Sequence, residues 1–204
     1  CRSNPAAAPA VRSLVAQHHR APHRTPTMPA YHSQFNGNAD LRVVCSMPLI
    51  PLKTRFKGPA PQCAEGTDDI IDEALKFFKA NCLFRNYEVK GDADRLIVYL
   101  TLYISACLVH LSRNQFDKAS AEKEVYQLAI KNYKVPGDKD FVLGGMVTAP
   151  KNRGEQESAK DYLQQLRQET GKRLCAKIYE HNQNVPSKWW MCYSKKKFLN
   201  KVLN

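Results

Sequence analysis

Between Leu96 and Leu111 the chain holds only three clearly polar residues, Thr101, Ser105 and His110, and its apolar residues fall on every face of a helix. A helix apolar all round is either enclosed in a protein core or spans a membrane. A span needs about 20 consecutive apolar residues, whereas this run is shorter and is bounded by Asp94-Arg95 and Arg113. The core alternative therefore wins. It predicts a helix over about residues 93–112, with Leu96, Leu100, Tyr103, Ile104, Cys107 and Leu108 inside it and the other helices packed around it. Asp92, after Gly91, is the expected N-cap. His110 reads as a partly exposed capping residue rather than a metal ligand, because no second ligand lies four residues away.

The remaining patterning supports a mainly α fold of about five helices. Thr67 is placed to cap a helix in which Ile70, Ile71, Ala74, Leu75 and Phe78 recur at helical spacing, ending near Asn81. Its first turns carry Asp68, Asp69, Asp72 and Glu73, read as a solvated face that complements the helix dipole. A shorter helix is expected from about Ser120 to Ile130, with Val125, Leu128 and Ala129 inward. A long amphipathic helix is expected from Glu155 to Tyr179. Its buried stripe is Tyr162, Leu163, Leu166, Leu174, Cys175 and Ile178. Gln164, Arg167, Gln168 and Lys172 lie off that stripe, and Gly171 is a candidate bend. A last short helix begins after Pro186-Ser187, at Lys188-Trp189-Trp190. Residues 28–66 lack a helical period, and Pro48, Pro51, Pro59 and Pro61 hold them extended. Their apolar run (Val43, Val44, Met47, Leu49, Ile50, Leu52) suggests an arm lying on the core. Residues 131–152 should be irregular.

The net charge of +12 sits in two places. Residues 1–27 carry Arg2, Arg12, Arg20 and Arg24 without an acid, and four prolines interrupt any helix there. This segment reads as a disordered extension, with too little amphipathic helix, about Val11 to His18, for a targeting peptide. Residues 28–204 read as a single helical domain. After Glu180 come Lys188, Lys195, Lys196, Lys197 and Lys201, again with no acid. Seven cysteines (Cys1, Cys45, Cys63, Cys82, Cys107, Cys175, Cys192) include no C-x-x-C pair and read as reduced core residues of a cytosolic or nuclear protein.

Catalytic patterns are missing from the sequence. There is no G-x-S-x-G, no H-E-x-x-H and no zinc-ligand spacing. Gly144-Gly145 lacks both the strand and the G-K-[ST] of a phosphate loop. The chain therefore reads as a non-enzyme with no cofactor, metal or small-molecule substrate. The segment from Trp189 to Leu199 mixes aromatics with lysines, and adjacent tryptophans at a helix start suit a protein interface. Lys188, Trp189, Trp190, Lys195, Lys196, Lys197 and Lys201 are the candidate contact residues, with an acidic protein surface as their partner. The alternative is a basic nucleic-acid-binding module using the same stretch, and a third is an anionic membrane surface.

Several strings, in order and spacing, resemble one family. They are Met28 to Ser33, Phe56 to Pro61, Lys79-Ala80-Asn81, Asn86-Tyr87-Glu88, Ala93-Asp94-Arg95, Tyr99 to Ser105, Tyr162 to Gly171 (YLQQLRQETG) and Pro186 to Trp190 (PSKWW). Together they span about Met28 to Val202 and look like subunit 3 of the actin-related protein 2/3 complex. The resemblance implies a helical, non-catalytic scaffold with one helix enclosed by the others. It also implies a hetero-oligomeric complex with actin-related proteins, docking on actin-related protein 3 and contact with actin filaments at branches. The implied location is cytoplasm, cytoskeleton and cell projections, with the nucleus as a further compartment. The family start matches Met28, so residues 1–27 read as translated upstream sequence.

Overall fold

A computed structural model describes residues 30–64 and 66–203, so the expectation of a disordered segment over 1–27 lies outside the described residues. Among the described residues a hairpin of two short strands, β1 (Val43–Val44) and β2 (Met47–Pro48), precedes five α-helices. These are α1 (Ile70–Asn81), α2 (Asp92–Leu111), α3 (Lys118–Ile130), α4 (Arg153–Ile178) and α5 (Lys188–Met191). The fold is mainly helical as expected, and the region between α3 and α4 is irregular apart from a 3-10 turn over Gly144–Met146.

Helix α2 is the pillar, packed by α1, α3, α4 and β2. Leu96, Leu100, Tyr103, Ile104, Cys107 and Leu108 are all wholly buried. At 20 residues the helix is long and apolar enough to cross a membrane, so the length of the run is not what assigns it to the core. Its burial by the surrounding helices is. The N-cap is Gly91 rather than Asp92, whose carboxylate instead pairs with Arg95 within the first turn. Capping comes from the arm: Asn36 Oδ1 accepts from the N–H groups of Ala93 (3.0 Å) and Asp94 (3.2 Å).

Asp69, not Thr67, caps α1, and it forms a capping box with Asp72. Thr67 Oγ1 donates instead to the Ala64 carbonyl. The acidic cluster is also less solvated than expected, since Asp69 and Glu73 are buried. Arg173 of α4 reaches Asp69 and Asp72 at 2.8 and 2.9 Å and also holds Glu169, while Lys53 pairs with Asp72. Glu73 accepts from Ser33 Oγ (2.7 Å) and the Gln34 N–H (2.8 Å). A face read as water-facing is thus where α4 and the arm fasten onto α1.

Helix α4 runs unbroken through Gly171. The glycine serves close approach: a methyl there would lie 2.4 Å from Val125 Cγ1 of α3. Arg167, expected on the polar side, is buried and donates to the Ala129 carbonyl (2.8 Å) and the Tyr99 hydroxyl (2.6 Å). A guanidinium with its donors satisfied can be buried where a bare charge could not.

The arm lies on this core with Val44, Met47, Leu49, Ile50 and Leu52 buried. Val43 is the exception at 48% exposed, because strand alternation turns it outward. The hairpin turn itself was not foreseeable from composition. Cys45 and Ser46 both take positive φ (49° and 61°), a geometry that usually selects Asn-Gly. External bonds hold it: the Cys45 N–H donates to Glu155 (3.0 Å), and Arg95 donates to the Ser46 carbonyl (3.2 Å).

Candidate protein interaction surface

After α4 the chain turns back on itself, with the Ser187 N–H donating to the Ile178 carbonyl at 2.9 Å. This places the short helix α5 beside α1. Neighbouring residues on a helix point about 100° apart, so the two tryptophans cannot share an environment. Trp190 is 9% exposed and stacks on Phe78 of α1 at 5.9 Å, with Lys79 Nζ 4.7 Å from its ring centre. Tyr193 meets the same Phe78 edge-on at 6.0 Å. Trp189 is 79% exposed. Of the expected contact pair, Trp190 is an anchor for the segment, and Trp189 is displayed beside exposed Lys188 and Val185.

The tail beyond α5 is pinned by a second set of side chains. Phe198 is wholly buried and packs on Tyr87 at 5.9 Å, Leu203 is buried, and the Leu199 N–H donates to the Phe84 carbonyl at 3.2 Å. Lys195, Lys196 and Lys197 stand exposed between these anchors. Lys201 differs: it is half-buried, and its Nζ donates to the Val142 carbonyl at 2.7 Å. Burial pushes the neighbouring Tyr193 hydroxyl upward. It also pushes the Cys82 thiol up to about 11, against the pull of Lys196.

The lysine row forms one wall of a cavity of about 620 Å³. Its floor is the outer face of the second half of α2, with Leu102, Ala106 and Val109. The facing wall is α3, with Glu124, Gln127, Leu128 and Lys131. His110 is half-buried here and does not cap α2. Its Nε2 lies 2.8 Å from Glu124 Oε2, joining α2 to α3 across the end of the groove. This opening was not legible in the sequence, because a helix apolar on all sides does not reveal which side its neighbours leave uncovered.

Among the described residues no three His, Cys, Asp or Glu side chains are grouped to hold a metal ion. Cys45, Cys82, Cys107 and Cys175 are buried as expected of core thiols, but Cys63 is half-buried and Cys192 is exposed. Burial pushes the Cys107 thiol well above its usual range and that of Cys175 up to about 12. Neither supplies a thiolate nucleophile near neutral pH. What the surface offers is a displayed indole, a row of cations and an apolar groove.

Residues 28–203 match the family model described as "P21-Arc: ARP2/3 complex ARPC3 (21 kDa) subunit". Among curated relatives, "Actin-related protein 2/3 complex subunit 3" of Dictyostelium discoideum is 49% identical, covering 85% of this chain and 99% of the relative. The protein of the same name from Schizosaccharomyces pombe is 43% identical, over 86% of this chain and all of the relative. That of Arabidopsis thaliana is 39% identical, over 85% and 98%. With the model spanning most of the chain and relatives matched nearly end to end, this protein belongs to the family of the 21 kDa subunit, subunit 3, of the actin-related protein 2/3 complex.

Proposed function

We propose that this chain is a non-catalytic structural subunit of the actin-related protein 2/3 complex, in the cytoplasm and actin cytoskeleton, and supports nucleation of branched actin filaments. The folded body docks on the actin-related protein 3 subunit, and the α5 and tail surface faces acidic actin-like surfaces. The carrying observation is the division of labour in the C-terminal segment. Trp190, Phe198 and Leu203 fasten it to the core, leaving Trp189 and Lys195 to Lys197 exposed. Exposed lysines held on an anchored segment improve encounter and orientation with an acidic partner at little entropic cost.

Reversing Lys195, Lys196 and Lys197 to Glu tests this. Incorporation of the chain into the complex, or the density of branches made by the assembled complex, should fall several-fold while the thermal midpoint of the isolated chain stays put. Unchanged values for both incorporation and branching overturn the assignment of this face.

A further inference from the structure

The groove between α2, α3 and the tail has an apolar floor that the proposed docking role, which uses the lysines of its rim, leaves unassigned. Along α2 its lining runs from Leu102 through Ala106 and Val109 to His110, with Arg113 just beyond the helix end. Eight helical rises make that about 12 Å, a little over two turns of a partner helix. Along α3 the lining is Glu124, Gln127 and Leu128, an i, i+3, i+4 ridge continued by Lys131 at the C-cap. With the α3 ridge on one side, the lysine row of the tail on the other and the apolar face of α2 as floor, the groove is a trough into which an amphipathic helix can lay its apolar face.

The rim decides the charge of the occupant. Arg113, Lys131, Lys195, Lys196, Lys197 and Lys201 line the cavity, and among the described residues its single acid, Glu124, is already paired with His110 at 2.8 Å. An occupant must therefore bring carboxylates on its flanks. The first 27 residues of this chain do not qualify, since they carry four arginines and no acid. A nucleic acid would want exposed aromatic platforms for its bases, and among the described residues the aromatic rings lining this cavity are Tyr133, which is buried, and His110, which is paired with Glu124. A flat lipid surface would meet the lysines but not the half-buried floor at Ala106.

We propose that the α2–α3 groove receives a short amphipathic helix of a protein partner, apolar on one face and acidic on both flanks. This rests on the reading of the chain as a docking subunit and adds the class of segment it captures. Leucine-like side chains three and four residues apart fill the floor beside Ala106 and Val109, and carboxylates meet Lys195 to Lys197 on one side and Lys131 on the other.

The probe is a fluorescein-labelled peptide of about three helical turns, with Leu at i, i+3, i+4 and i+7 and Glu on both flanks. Its anisotropy is titrated with the purified full chain. The controls are a scrambled peptide, a Lys-flanked version and phosphatidylcholine–phosphatidylserine vesicles. Saturable binding of the Glu-flanked peptide alone is expected. Val109→Glu should weaken it about tenfold or more, and so should the combined K195E, K196E and K197E reversal. Val109 is 39% exposed and the three lysines are surface residues, so at least one variant keeps the fold, checked by its melting curve. Equal affinity for the scrambled peptide, retained affinity in a folded variant, or binding to vesicles in place of the peptide overturns the proposal. If the peptide fails while the lysine reversal still excludes the chain from the complex, the groove inference falls and the assembly role stands. If the peptide binds while the reversal leaves incorporation and branching unaltered, the groove inference stands and the assembly role of the lysine face falls.

Discussion

Asp94 shows how much one side chain organises. Its carboxylate is fully buried yet accepts from the Ser33 N–H (2.8 Å), Asn36 Nδ2 (2.8 Å) and the Lys90 N–H (2.9 Å), with His32 Nδ1 at 2.8 Å. Burial pushes its pKa upward, but the hydrogen bonds from Ser33, Lys90, Asn36 and His32 outweigh that and hold it below the usual 3.8. A carboxyl depressed on folding stabilises the fold above its unfolded pKa and loses that contribution as pH falls through the folded value. Stability should therefore decline below about pH 4, and Asp94→Asn should flatten that part of the curve. The same variant turns acceptors toward donors and should cost about 3 kcal/mol at neutral pH in urea unfolding. The two tryptophans make a second paired expectation. Trp190→Ala should lower stability by about 3 kcal/mol, whereas Trp189→Ala should leave unfolding within about 0.5 kcal/mol and reduce incorporation into the complex. Neither contrast is visible in the sequence. Asp94 reads there as the boundary of an apolar run, and adjacent tryptophans carry no mark of which one turns inward.

Helices join here through the strings that carry the family resemblance. Tyr31, Asn81 and Tyr87 meet: the Tyr31 N–H donates to Asn81 Oδ1, while Asn81 Nδ2 and the Tyr87 hydroxyl both donate to the Tyr31 carbonyl. Gln165 of α4 accepts from the Ala60 N–H at 3.1 Å and donates to the Phe56 carbonyl at 2.9 Å, so the Phe56 to Pro61 string is fixed along that helix. Gly171 sets the spacing of α4 to α3. Gly to Ala in a helix interior ordinarily gains up to about 1 kcal/mol. Here the added methyl meets the stiff branch of Val125, so Gly171→Ala should instead lose about 1–2 kcal/mol. A second change, Val125→Ala, should recover part of that loss in a double-mutant cycle read by urea unfolding. The helices themselves were legible, because apolar spacing reports which face of each is buried. The partners of those faces were not. The buried sides of Asp69, Glu73 and Arg167 follow from contacts between residues far apart in sequence, and local periodicity contains no such information.

The whole molecule depends on α2 staying covered. Leu100 sits wholly buried at its middle, so Leu100→Asp places an uncompensated charge where no partner can reach it. That substitution should abolish the cooperative thermal transition, and a folded Leu100→Asp protein that merely fails to bind would contradict the pillar role. The arm's attachment has a different consequence, one for the order in which the chain is born. Its residues leave the ribosome early and meet α1 and α2 soon after, yet their fastenings to α4 come late: Cys45 waits for Glu155, Ile50 for Tyr162, and the Lys53 carbonyl for Arg173, 120 positions downstream. At 5–20 residues per second that interval is roughly 6–24 s. Until then the apolar stretch from Met47 to Leu52 lacks its α4 cover, and the nascent chain becomes a client for whatever holds exposed apolar segments during translation.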